Sequence, residues 1–502
     1  MKTEKECPVI ENNIRGVNGN MEVDLERALD LCGAGKYQVY HCTIMIAILG
    51  ASVLELIGYS FILPAGACDL GLSDSLRGII TSLPNIGIII TAPFWGRAAD
   101  AFGRKPVLLY STAMSGIVGL IASFMPGLFS FALCKFVGSL FISCASSLGY
   151  AYAGEMMPRK RRDIAVLMCN ALLMLFAALC PIFAWGVLSY DWLDAIAVHP
   201  WRVLTAVYAI PLILSALWLT QAKESPKFLM TKNKPKEALE VLRYIYDVNT
   251  GYGKDNYCVT SLTNNAEDSA KVMDGMDTGG SKNSAFALLR PPHLKWIALT
   301  GFLMFGLFSL LNGLFLFAPN TINKMMTSSD EPVTICMILN QPVNQTEPTT
   351  CVDDISYGTF QITIVASLIY GTLVLLISLS PLTKKTLLVG MYTIIGGTCL
   401  VSAVTTNRII AGISMSALQV TALGIGPLTA YSVQLFPTNL RGTAVGAVLM
   451  FGRVGSVVGA NVSGVFLASA CTATFYVFAA LLFICAGLSF LLPNDQSANN
   501  DR

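Results

Sequence analysis

Twelve stretches of this chain are long and apolar enough to cross a bilayer, and that constrains its fold more than any other feature. A membrane-crossing helix needs about 20 mostly apolar residues. Such segments run over 42–64, 78–95, 106–124, 127–152, 163–188, 201–221, 295–319, 357–379, 386–405, 409–435, 441–466 and 468–492. Lipid offers no hydrogen bonds to an open backbone, so segments of this length satisfy their N–H and C=O groups as helices. The expected fold is an all-α membrane protein with twelve transmembrane helices. Only 13% of the 502 residues are charged and 54% are hydrophobic, against about 25% charged in soluble domains. The first forty residues are polar and no cleavable leader is visible, so the first apolar segment is the expected insertion signal.

Basic residues orient the segments. With the N-terminus in the cytosol, the outer loops and helix ends hold Arg77, Arg202, Lys324 and Arg408, while Lys135 and Arg453 fall inside helices. The remaining 27 of the 33 Lys and Arg lie on the cytosolic side. Residues 1–41, 222–294 and 493–502 are therefore expected in the cytosol, and the helices in a plasma or vesicle membrane. No cluster of basic and aromatic residues suggests nucleic acid. The three histidines, 41, 199 and 293, have no metal-ligand or triad partner in the sequence. That pattern argues against an enzyme, a metal site or a cofactor.

The polar segment 222–294 divides the chain into two bundles of six segments, 42–221 and 295–492. Pro235–Arg243 within it reads as a short amphipathic helix, and the stretch with Asn264, Asn265, Gly275, Gly279 and Gly280 as a flexible linker. The two bundles carry a repeat. Tyr152, Glu155, Pro158, Arg162, Ala165 and Val166 recur 279 residues later as Tyr431, Gln434, Pro437, Arg441, Ala444 and Val445.

The loop after the second segment reads Gly96-Arg-Ala-Ala-Asp100-Ala-Phe-Gly103-Arg104-Lys105. This G-x-x-x-D-x-x-G-R-K pattern resembles the loop between helices 2 and 3 of the major facilitator superfamily, whose members are built from parallel six-helix repeats. Its counterpart near Lys384 lacks the acid. Glu224-Ser-Pro-Lys-Phe-Leu229 is similar to a signature shared by sugar porters, organic ion transporters and synaptic vesicle glycoproteins. Gln434–Gly442 resembles the E-x-F-P-T-x-x-R-G stretch of the latter two, with Gln434 in place of the acid. Asp24–Gln38 resembles the acidic lead-in of synaptic vesicle glycoprotein 2 and its relatives. The resemblance implies transport of a small organic solute, an organic ion in the first instance, by alternating access, with protons as possible partners. The other implied reading is a membrane protein that transports little and serves trafficking or partner binding. It also implies a cytoplasmic gate in which Asp100 sits at the N-terminus of helix 11, where the helix dipole favours an anion. Gly96, Gly103, Arg104, Lys105, Glu155, Arg162, Glu224 and Arg441 belong to the same gate.

Charges inside the bilayer are costly and mark candidate sites. Glu55 lies nine residues from the outer end of the first segment and Lys135 eight residues into the fourth, roughly 12–13 Å deep at 1.5 Å per residue. The pair could lock two helices, bind solute or a proton, or be absent if Lys135 snorkels outward. Arg453, among small residues in the eleventh segment, could meet an anionic group or cap backbone carbonyls. Asn312, beside Phe305, Phe308 and Ser309, is a further cavity candidate. In the outer loop 320–356, Asn344-Gln345-Thr346 is a glycosylation acceptor. A disulfide is expected there between Cys336 and Cys351.

Overall fold

The computed structural model describes residues 21–189, 198–263, 291, 293–327, 334–339, 354–380, 382–436 and 440–493. Among these, twelve helices are long and apolar enough to span a membrane. Helices 1 to 6 are Lys36–Ala65, Ser75–Phe102, Arg104–Ser123, Leu128–Glu155, Ile164–Leu188 and Pro200–Leu219. Helices 7 to 12 are His293–Thr327, Tyr357–Ser378, Lys384–Val404, Arg408–Gln434, Gly442–Ser469 and Cys471–Ser489. All twelve expected segments are present, and the fold is the all-α, two-repeat arrangement expected.

Local chemistry sets several boundaries. Ser73, Thr383 and Asn407 cap helices 2, 9 and 10 by accepting backbone N–H groups at their starts, which satisfies donors the helix itself leaves orphaned. Between helices 2 and 3 the chain turns through Gly103 at φ 112°, a conformation that favours glycine.

The repeat extends to side-chain roles. The Tyr152 hydroxyl donates to the carbonyl of Lys223, just past helix 6. Its counterpart Tyr431 donates to the carbonyl of Pro493, just past helix 12, at 3.1 Å. Lys105 Nζ likewise meets the Thr220 carbonyl at 2.7 Å, and Lys385 Nζ meets the Leu492 carbonyl at 2.9 Å. Matched offsets in sequence pair Lys105 with Lys384. The equivalent contact belongs to Lys385, one residue on.

A small unit docks beneath the first bundle on the face that carries the 96–105 loop, here termed the basic face. Residues Met21–Val23 pair in parallel with Val259–Leu262, and the helices Leu25–Cys32 and Pro235–Thr250 pack together. Asn249 joins them: its amide donates to the carbonyls of Cys32 and Gly33 at 3.1 and 3.2 Å, and its oxygen accepts from the Tyr37 N–H at 3.0 Å. The amphipathic helix expected at 235–243 thus runs on to Thr250.

On the opposite face the expected Cys336–Cys351 disulfide is not formed. Cys336 is bonded to Cys471, with Cα atoms 5.3 Å apart. The short helix Ile335–Leu339 packs against the start of helix 12, which brings Cys471 at that helix terminus to Cys336. Cys351 and Asn344 lie outside the described residues.

Candidate solute site and gates

A small cavity lies between the two bundles. Helix 1 contributes Ile57, Ser60 and Phe61, helix 5 Ala177 and Pro181, and helix 7 Phe315, Ala318 and Pro319. Helix 8 adds Thr363 and Ser367, and helix 10 adds Ser416 and Gln419. Four of these five helices are irregular where they border it. Helix 1 is interrupted at Gly58 and helix 5 at Ala177–Ala178, helix 7 widens to a π-helix over Leu311–Phe315, and helix 10 tightens to 3₁₀ over Leu418–Gly424. Such departures expose backbone and re-aim side chains, and in transporters they collect around the binding site.

The cavity is sealed toward the face opposite the basic one. Phe61 of helix 1 and Phe360 of helix 8 stack with ring centroids 6.2 Å apart and planes within 14°. A Cβ on Gly78 of helix 2 would stand 2.7 Å from the Ala460 carbonyl and 3.0 Å from the Gly464 Cα of helix 11. The two backbones are therefore in contact there. At the basic face the same helices part: nothing lies within 4 Å of the Cβ position on Gly96 of helix 2 or on Gly442 and Gly446 of helix 11.

Between seal and opening, a polar junction ties the bundles together. Asn85 of helix 2 accepts from Arg453 Nη1 at 3.1 Å and donates to Asn312 Oδ1 at 3.2 Å. Asn312 in turn donates to Ser456 Oγ at 2.9 Å. The Arg453 guanidinium lies over the Phe308 ring, 5.2 Å from its centroid. Among the described residues no carboxylate pairs with Arg453. Sequence reasoning found Arg453 and Asn312 but missed Asn85 and the cavity amide Gln419. A neutral polar residue in an apolar helix was the available signal, though many such residues only bond their own backbone.

Glu55 and Lys135 form a buried ion pair, with side chains 10% and 1% exposed. The Lys135 ammonium also lies 5.4 Å from the Tyr59 ring centroid and 5.8 Å from that of Phe131. Snorkelling is thereby ruled out. Neither residue lines the cavity. Ile57 and Phe61 share the cavity face of helix 1, whereas Glu55 is two positions from Ile57, about 200° around the helix. It points into the first bundle, with Glu55 Oε1 3.5 Å from the Cβ position on Gly119 of helix 3. The small neighbours Ala51, Ser52 and Gly58 serve close helix packing: a Cβ on Gly58 would meet the Tyr208 ring at 2.5 Å.

At the basic face the charged motif is knit within the first bundle. Arg104 reaches Asp100 at 3.0 Å and Glu155 at 3.3 Å, and donates to the Ala99 carbonyl at 3.0 Å. Arg162 donates to the Gly154 carbonyl and to Glu26, each at 2.9 Å. Glu224 caps helix 3, accepting from the backbone N–H groups of Arg104 and Lys105 at 3.1 and 3.2 Å. A Cβ on Gly103 would stand 2.5 Å from Glu224 Oε2, a second reason for glycine there. Burial pushes the Glu224 carboxyl above its ordinary range, opposed by its backbone N–H donors and by Arg104. Asp100 was expected at the N-terminus of helix 11. Its side chain is instead 74% exposed and turned to Arg104, because the basic ends of helices 2 and 11 stand apart. The Arg441 side chain lies outside the described residues.

Two six-helix bundles around a cavity sealed at one end form the architecture of an alternating-access membrane transporter. The chain belongs to the Major Facilitator Superfamily, whose sequence profile matches residues 42–404. Within it, the chain is similar to synaptic vesicle glycoprotein 2C of Rattus norvegicus, 29% identical over 245 residues, covering 48% of this chain and 34% of the relative. Synaptic vesicle glycoprotein 2A of Homo sapiens is 27% identical over 262 residues, covering 51% and 35%. The matched stretch therefore spans about a third of the length of these relatives. The inward open conformation of the xylose transporter XylE from E. coli superposes with a TM-score of 0.65 at 17% identity, over 90% of this chain and 96% of that one. At that identity the likeness is one of fold.

Proposed function

We propose that this protein carries a small organic solute across a membrane by alternating access, and that the conformation described is open toward the cytosol. The observation that carries this reading is the divergence of helices 2 and 11, in backbone contact at one face and apart at the other, around a closed-ended cavity. The basic-residue asymmetry supports a cytosolic basic face. Residues 1–41, 222–294 and 493–502 are then cytosolic, 42–221 and 295–492 are the two moving bundles, and Asn344 faces outward as a glycan acceptor. On this reading Asp100 swings to the N-terminus of helix 11 when the basic face closes. Arg104, Lys105, Glu155, Arg162, Glu224 and Arg441 hold that closed state, with Gly96 and Gly103 allowing close approach.

Glu55–Lys135 acts in this account as a strut that keeps the first bundle rigid. The expectation of an ionic solute then rests on Arg453 alone, supported by Asn312. A plasma or vesicle membrane fits the outward-facing glycan acceptor, and the vesicle glycoprotein relatives favour a vesicle. An uptake screen in reconstituted vesicles, with and without a pH gradient, tests the reading. Saturable uptake of a solute is expected, and a pH gradient that accelerates it would establish proton coupling. Absence of saturable uptake across the screen would overturn transport in favour of a trafficking or partner-binding role.

A further inference from the structure

The wall of the cavity narrows the chemistry of the solute. Its polar groups are hydroxyls and one amide, and no ionisable side chain lines it. Nearby charges are engaged elsewhere: Glu55 holds Lys135 behind helix 1, and Arg453 donates to Asn85. Most wall hydroxyls with a partner spend their proton on their own helix, as when Ser60 donates to the Ile57 carbonyl at 2.8 Å and Thr363 to the Thr359 carbonyl at 2.7 Å.

Ser416 and Gln419 differ. Ser416 closes the α-helical part of helix 10 and Gln419 lies three residues on, in the 3₁₀ stretch, and both line the cavity. Ser416 is only 4% exposed. Neither its Oγ nor Gln419 Nε2 has a hydrogen-bond partner within the protein. Buried donors left unmet are unfavourable, so native structures satisfy them with protein, water or ligand. The same cavity holds the rings of Phe61 and Phe315.

We infer that Ser416 and Gln419 form the recognition corner of the solute site, and that the solute is uncharged. It presents a carbonyl or hydroxyl oxygen to that corner and a flat or apolar face to Phe61 and Phe315. A carboxylate or ammonium there would lose its water without gaining a counter-ion, which binding cannot readily recover. This deepens the transport reading and rests on it for the role of the cavity, but its test does not depend on uptake.

The test measures binding to the full chain in nanodiscs with isosteric pairs that differ in charge: nicotinamide against nicotinate, and D-glucose against D-glucuronate. In at least one pair the neutral member should bind and its charged isostere bind roughly 100-fold more weakly or not at all. Gln419→Leu and the nearly isosteric Ser416→Ala should each weaken the neutral probe about tenfold, with thermal melts confirming that both fold. Preference for the charged members, no binding of any probe, or neutral binding untouched by both substitutions would each overturn the inference. Neutral binding without uptake would sink the transport reading and leave this site standing.

Discussion

At Lys135 the membrane interior holds a cation that helix 1 neutralises from within the same bundle. Removing one partner of such a pair strands the other, typically at about 3–5 kcal/mol, whereas replacing both can be nearly neutral. Glu55→Gln and Lys135→Met should each lower stability by several kcal/mol. The double mutant should recover both stability and uptake if the pair is a strut. Recovered stability with lost uptake would return Glu55 to a solute or proton role, which thermal melts and uptake on the same preparations separate. Glu224 gives a second prediction. Burial makes the folded protein hold this proton more tightly than the unfolded chain. Its contribution is therefore full below about pH 4.3, the unfolded value, and is lost as pH rises through the raised folded value. Glu224→Gln keeps an acceptor for helix 3 and cannot ionise, so it should flatten that part of the stability profile. Glu224→Ala should cost about 1 kcal/mol as a lost cap. Melting curves between pH 4 and 7 check both, and parallel profiles for the parent and Gln variant would contradict the argument. The depth match that predicted the Glu55–Lys135 pair was legible in the sequence. Which way the pair faced was not, because helix rotation is set by packing against Gly119 and Tyr208, which are distant in sequence.

Helices 2 and 11 carry the clearest mechanical information. At Gly78 the obstacle to a side chain is backbone, the Ala460 carbonyl and Gly464 Cα, which cannot yield as a flexible side chain would. Gly78→Leu should therefore block closure of the opposite face while leaving the helix itself intact. Overpacking of this kind costs about 1–3 kcal/mol, enough to shift a two-state population by about 5- to 150-fold. A cysteine at Thr443, exposed on the basic end of helix 11, should then label more slowly, and uptake should fall. Unchanged labelling would show that this contact does not gate. Apolar runs made all twelve helices readable, with ends off by up to about two turns in helices 1, 2 and 7, whose polar ends carry on past the apolar run. The π and 3₁₀ interruptions around the cavity were not readable, since their sequences, Leu311–Phe315 and Leu418–Gly424, are as apolar as regular helix. The disulfide eluded sequence for a related reason: both cysteines of one loop were visible, but the partner of Cys336 is a helix residue whose proximity only the fold creates.

At the scale of the whole molecule, the repeat at 279 residues announced two equivalent bundles, and the matched bonds of Tyr152 and Tyr431 place that equivalence in the structure. The lateral arrangement of bundles was legible through family resemblance. The conformational state was not, because Asp100 and its partners are the same residues whether the basic face is open or closed. The central claim is that the two faces open in alternation, and distance measurements by spin labels test it most directly. One label pair belongs at Ala101 and Thr443, on the basic ends of helices 2 and 11, and another at Ser75 and Ser469, on their opposite ends; all four positions are exposed. The account predicts two populations in each pair with reciprocal weights, the basic-face pair long whenever the opposite pair is short, and Gly78→Leu shifting both together. A single unchanging distance at both faces, or two faces that open together, would contradict it.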